Sequence, residues 1–175
     1  MRRVAWLLVG VSMLGNGPVA AQLLPPASDD VKIQVTQQEM DEDAAGRNPT
    51  SYAESMAQQF HVDKEVVEQL RQAKARWGEI GIRLAFAQEL AKQDAKSFPS
   101  VEAALSKVSE QRGKKAGWRA MANEFGIDLG QVVMQAQQAR QQMRAEAKKE
   151  ATAGVVKPGA PPPDRTEKRG GAPNR

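Results

Sequence analysis

Two tryptophans carry the best case for chemistry in this chain. Trp77 follows the basic turn Lys74-Ala75-Arg76, and Trp118 follows Lys114-Lys115-Ala116-Gly117. Each indole therefore opens a helix directly after a run of cations. An indole in that setting can stack on a sugar ring or a partner peptide while the cations hold polar groups beside it. Trp77 with Arg76, and Trp118 with Lys114 and Lys115, are the candidate partner-binding residues. The competing reading makes each Trp an anchor at a helix junction, and the helical spacing to Ile80 and Met121 favours it.

Other residue types that do chemistry are present without the company they need. His61 is the only histidine and sits between Phe60 and Val62, at what reads as a helix end. Asp29-Asp30 and the acidic cluster at 39–43 fall in a stretch with no apolar period, where no fixed geometry would hold a hard cation. Glu79 and Glu89 share a helix without an evident partner acid. The sequence contains no serine in a hydrolase pattern, no phosphate-binding glycine loop and no HExxH. These patterns assign no catalytic, metal-binding or cofactor-binding residue, and the expectation is a non-enzymatic protein without a cofactor.

The most specific spacing is that of a helix-turn-helix. Met121, Ala122, Phe125, Gly126, Ile127 and Val132 supply the apolar, small, apolar, turn-glycine and core positions of that motif. Leu129, Gly130, Gln131 and Gln135 would then face a groove of nucleic acid. That face is poor in Lys and Arg, which phosphate contacts require. Two helices packed at a steep angle without nucleic acid is the favoured reading.

The elements that would position these residues are all helices. Ser51 to Glu54 reads as a capping box, and Met56 and Phe60 follow one turn apart. Asp63 precedes a helix with Val66, Val67 and Leu70 on one face. A helix from about Trp77 to Lys92 bears the stripe Ile80, Leu84, Ala87 and Leu90. Ser100 caps the next, with Val101, Leu105 and Val108. Gly113 to Gly117 is a turn. A further helix from Trp118 ends at Gly126, which suits a left-handed C-terminal conformation. The last begins after Asp128 and runs on through a Gln-rich stretch. Its apolar stripe thins to Ala136, Ala139, Met143 and Ala147, so the far half is expected to fray rather than dock, with a seam to a second copy as the alternative.

No segment alternates as a strand does. The expected fold is all-α, a bundle of five to six helices, with Phe60, Val67, Leu70, Trp77, Ile80, Leu84, Leu105, Trp118, Met121, Phe125, Ile127 and Val132 in its core. Two self-similarities suggest a duplicated helical hairpin. Met56-Ala-Gln-Gln-Phe-His-Val-Asp63 recurs as Met121-Ala-Asn-Glu-Phe-Gly-Ile-Asp128. The stretch from Asp63 to Ile80 resembles that from Ser100 to Met121, with three extra residues assigned to the second turn.

The duplicated Trp-led segments, Trp77-Gly-Glu-Ile80 and Gly117-Trp-Arg-Ala-Met-Ala-Asn-Glu-Phe-Gly126 followed by Asp128-Leu-Gly-Gln-Val-Val133, resemble small exported bacterial all-helical proteins with GWGEIAKELG-like segments. The resemblance covers about 51 to 135 and departs at Arg119, where glycine is usual. It implies a helical domain and supplies no activity or site. A second resemblance, to Gln- and Met-rich periplasmic chaperones, rests on helix content and the terminal helix, but their LTxxQ signature is absent.

Four segments follow. Residues 1–21 read as an export signal: Arg2-Arg3, an apolar run from Val4 to Leu14, and small residues Val19-Ala20-Ala21 before a cleavage site at Gln22. Residues 22–50 read as a disordered acidic segment with two basic and six acidic side chains. Residues 51–150 are the helical domain, and 151–175 a disordered Pro/Gly/basic tail. With no cysteine there is neither disulfide nor lipid attachment through sulfur. The expectation is a periplasmic or secreted protein, monomer or weak dimer, with a structural or protein-binding role toward an unidentified protein or envelope component. The alternatives are a periplasmic chaperone-like or stress protein and, if residues 1–21 are no signal, a nucleic-acid-binding module.

Overall fold

The helix that begins at Trp77 is apolar on every side. Ile80, Ile82, Leu84, Ala85, Phe86 and Ala87 are all 0% exposed. A helix with that surface has to be surrounded. In a computed structural model describing residues 28–153, six other helices do this: α1 (Asp29–Ala45), α2 (Pro49–Phe60), α3 (Lys64–Gln72), α5 (Val101–Gly113), α6 (Trp118–Phe125) and α7 (Leu129–Ala153), around α4 (Trp77–Gln93). The described residues form no strand, and none of their helices is long and apolar enough to cross a membrane. The described residues are all-α with seven helices, where the sequence predicts five to six. The segment 1–21, expected to be an export signal, and the expected tail beyond 153 lie outside the described residues.

The additional helix corrects the reading of 22–50 as disordered from residue 28 onward; residues 22–27 lie outside the described residues. Ile33, Thr36, Met40 and Ala44 fall at i, i+3, i+7 and i+11, and all four are buried. That stripe packs α1 against α4 and α7. Its acidic cluster is held by partners distant in sequence. Glu39 and Asp43 accept from Arg140 at 2.8 and 2.6 Å. Asp41 pairs with Arg76 at 2.8 Å and accepts from the Gly78 amide at 3.1 Å. Composition alone favours disorder; the ordering comes from four buried side chains and from Arg76, just before α4, and Arg140 on α7.

Two glycines let α1 approach α4. A methyl group built on Gly78 would collide with the backbone carbonyl of Gln37, while one on Gly81 would meet the end of the Met40 side chain. The first obstacle is backbone and cannot yield locally; the second is flexible.

Several local expectations also change. Asn48, not Ser51, caps α2: its Oδ1 accepts from the amides of Thr50 at 2.9 Å and Ser51 at 3.3 Å, and Pro49 opens the helix. The far half of α7 is docked rather than frayed. Met143 is 1% exposed, its carbonyl accepts from Arg47, and Gln59 donates to Glu146. Residues 151–153, expected in the disordered tail, continue α7. Of the expected core, Leu70, Trp77, Trp118 and Phe125 are only partly buried against it, and the other eight are buried.

Substituting the two glycines separates these contacts. Gly78→Ala is expected to lower stability by about 2 kcal/mol or more, because overpacking outweighs the roughly 1 kcal/mol gain in helix propensity. Gly81→Ala is expected to cost about 1 kcal/mol or less, since Met40 can move. Urea denaturation of the three proteins checks this; equal losses would contradict the close α1–α4 crossing.

Candidate functional site

Both tryptophans stand at the same local structure. Before each, a helix ends in a turn whose left-handed residue is a lysine, Lys74 at φ 64° and Lys115 at φ 62°. The next amide reaches back five residues, Ala75 to the Leu70 carbonyl and Ala116 to the Gln111 carbonyl. This closes a helix end while presenting an apolar residue to the core. An arginine six residues before each Trp then caps the turn. Arg71 donates to the Ala75 carbonyl and lies 4.4 Å from the Trp77 ring centroid. Arg112 donates to the Ala116 carbonyl at 2.6 Å and lies 4.3 Å from the Trp118 ring. The two turns are equal in length. The extra residues assigned to the second turn instead lengthen the preceding helix, since α5 has 13 residues and α3 has 9.

This geometry occupies one face of each tryptophan proposed for partner stacking. Each indole has a guanidinium of its own chain on one face, and Tyr52 meets Trp77 edge-on with ring centroids 5.1 Å apart. Phe86 lies 6.2 Å from Trp118. Arg76 is extended toward Asp41, and Lys114 pairs with Glu110 at 2.6 Å. Lys115 is exposed and spends its conformation on the turn. The five candidates divide between two junctions and do not converge on one site. Arg71 and Arg112 escaped sequence reading, although the recurring Arg-to-Trp spacing was available to find them.

Glu79 joins the second junction to α4. Its Oε1 accepts from Arg83 at 2.7 Å and from Arg112 at 3.2 Å. Burial pushes its carboxyl upward, but the hydrogen bonds and charges of the two arginines outweigh this and hold it below its ordinary value.

The turn before α7 has the helix-turn-helix form. Gly126 is left-handed, and the Ile127 amide reaches the Ala122 carbonyl at 2.8 Å. His61 takes the same place at φ 53° in the turn after α2. As a reading head the following helix is poor: Leu129, expected to face a groove, is buried. The first cation along α7 is Arg140, which is engaged by Glu39 and Asp43. Among the described residues no group of three or more His, Asp or Glu side chains is placed to hold a metal ion.

A cleft of about 710 Å³ between α1 and the start of α4 is lined mainly by Gln, Asp, Glu and Arg side chains, and a second groove of about 530 Å³, which sequence reading did not assign, has alanine and phenylalanine beside its polar groups. Gln59 and His61 at the end of α2, Gln88, Ala91 and Lys92 of α4, Ala95 and Phe98 to Val101 after it, and Gln135 to Gln142 of α7 line this second groove. Five glutamines face it, and the Oε1 of Gln135 is buried without a hydrogen-bond partner. Such an orphaned carbonyl is unfavourable in a folded protein unless something arrives to meet it. The Gln-rich composition of α7 was visible in the sequence, but the contribution of α2 and α4 was not.

Glu79 yields a test of the junction. A carboxylate whose folded pKa lies below its unfolded value contributes stability at neutral pH and loses it as pH falls through the folded pKa. Glu79→Gln is expected to be less stable than the parent at pH 7, with the gap closing below about pH 4, where an unfolded glutamate takes up its proton. Thermal melts from neutral to acid pH measure this; a gap independent of pH would mean that packing, not charge, sets the loss.

The chain matches no protein-family model, no curated protein and no solved structure.

Proposed function

We propose that this chain is an exported, non-enzymatic helical binding protein of the bacterial cell envelope, and that the groove between α4 and α7 is its binding site. Residues 1–21 support export, and the resemblance to small exported helical proteins agrees with it. The groove supports binding rather than bond-making. Glutamine amides donate and accept hydrogen bonds but exchange no proton near neutral pH.

The observation that carries this reading is where the helical pattern breaks. We read the body as a series of related hairpins, α2–α3, α4–α5 and α6–α7. Met56, Ile80 and Met121 correspond along their first helices, and Val67, Val108 and Val132 along their second; all six are 0% exposed. The small residues Ala57, Gly81 and Ala122 correspond as well. On this reading the duplicated hairpin expected from the sequence becomes one pair within a threefold series. The first and third hairpins turn through three residues, 61–63 and 126–128, whereas α4 and α5 are joined by seven, 94–100. Insertions into a repeat commonly build its binding face. Here the longer link contributes Phe98, Pro99 and Ser100 to the groove.

Two measurements test the proposal. Mass spectrometry of the protein from a periplasmic or culture fraction is expected to find a mature N-terminus at Gln22. A photo-crosslinking residue at Ala95, in the groove, is expected to capture an envelope component that the same residue at exposed Lys96 does not. An intact Met1 in cytosolic protein would refute export, and identical capture patterns would refute the groove.

A further inference from the structure

We propose that the groove binds a neutral, N-acetylated sugar. This deepens the binding reading above and rests on it. The amide orientations are fixed by their partners. Gln88 Nε2 donates to the Phe60 carbonyl at 3.0 Å, and Gln59 Nε2 donates to the Glu146 carboxylate at 2.9 Å. Each bond uses one of the two N–H groups of its amide, so each side chain keeps one N–H and its carbonyl oxygen. The buried Oε1 of Gln135 adds a third acceptor. The site therefore suits a neutral ligand that both donates and accepts.

Its charge favours a neutral ligand. The lining has no carboxylate, and its one cation, Lys92, is paired with Glu89 at 2.8 Å. A charged group entering would lose hydration without gaining a counter-ion. Beside the acceptors stand the methyl groups of Ala91, Ala95 and Ala139 and the ring of Phe98. An acetamido group matches that combination, with its N–H for a glutamine oxygen and its methyl for the alanines. The C–H face of a pyranose suits the phenyl ring, and the hydroxyls suit the remaining amides. The helical wall from Gln88 to Gln93 is about 8 Å long and continues into the link at Ala95, which suits one to two sugar rings. An extended peptide would also offer N–H donors, but only about two to three of its residues fit along that helical wall.

The test titrates isotope-labelled full-length protein with N,N′-diacetylchitobiose, maltose and a blocked trialanine, each up to about 10 mM, a range that reaches millimolar affinity. The side-chain amide signals of Gln88, Gln135 and Gln138 are expected to shift saturably with diacetylchitobiose. Maltose, lacking the acetamido donor, is expected to bind about fivefold or more weakly. Gln135→Leu removes the buried acceptor. It is expected to melt at the same or a higher temperature and to weaken sugar binding about fivefold. Tripeptide binding as tight as that of the sugar would overturn the sugar assignment and leave the groove a binding site. Silence of the glutamine signals toward all three ligands would overturn the sugar assignment while leaving export and crosslinking to judge the wider reading. Unchanged sugar affinity in Gln135→Leu, with the fold intact, would also overturn it.

Discussion

The enclosure of α4 is the constraint on which the rest of this structure depends. Its residues are buried around the whole circumference, so no two-helix contact can satisfy it. α5 takes one side, α1 another, and α7 and α2 close the rest. The crossing with α1 is the tightest, because Gly78 brings the α4 backbone against the Gln37 carbonyl. Large apolar side chains then complete the enclosure: Ile33 and Met40 from α1, Met56 and Phe60 from α2, and Met143 from α7 are all essentially inaccessible to water.

Charge places these walls, and burial holds them. Arg140 bridges α7 to Glu39 and Asp43 of α1; burial alone would lower its pKa, but the carboxylates raise it on balance. Buried ion pairs of this kind contribute orientation more dependably than net stability. Tyr52 acts similarly between α2 and α1, donating its hydroxyl to the Met40 carbonyl at 3.1 Å; burial raises its pKa and keeps the proton in place. At the helix ends, four turns share one hydrogen-bond pattern, with Val62, Ala75, Ala116 and Ile127 as the apolar residues they turn inward. Only one of the four left-handed positions is glycine. The other three place His or Lys there at a conformational cost offset by that hydrogen bonding.

Local signals made much of this legible. Ser100 caps α5 through its hydroxyl, Gly126 takes the left-handed conformation, and the apolar spacing places α3 to α6 within a few residues. What escaped was tertiary. The apolar stripe of α1 is narrow and set among Gln, Asp and Glu, so its average composition concealed a period of four buried residues. A second clue lay on α4: Ile82 and Phe86 fall off the stripe Ile80, Leu84, Ala87 and Leu90, and would have been exposed unless another helix covered them. The candidate site was less legible still. The tryptophans announced themselves by type and spacing, yet an arginine of the chain itself occupies one face of each. The groove is assembled from α2, α4 and α7, whose glutamines lie up to 83 residues apart in sequence, and no local pattern joins them.

Native-state hydrogen exchange measured along the full-length protein tests the enclosure of α4 most directly. If α1 is a wall of the core, the amides around Ile33, Thr36 and Met40 open only with the global unfolding that also releases the central turns of α4. Their opening free energies then agree with those of Leu84 to Ala87, and fall together when denaturant is added. Exchange of residues 29–45 at the rate of an unstructured chain, while α4 stays protected, would contradict the account and show that α4 is enclosed without α1.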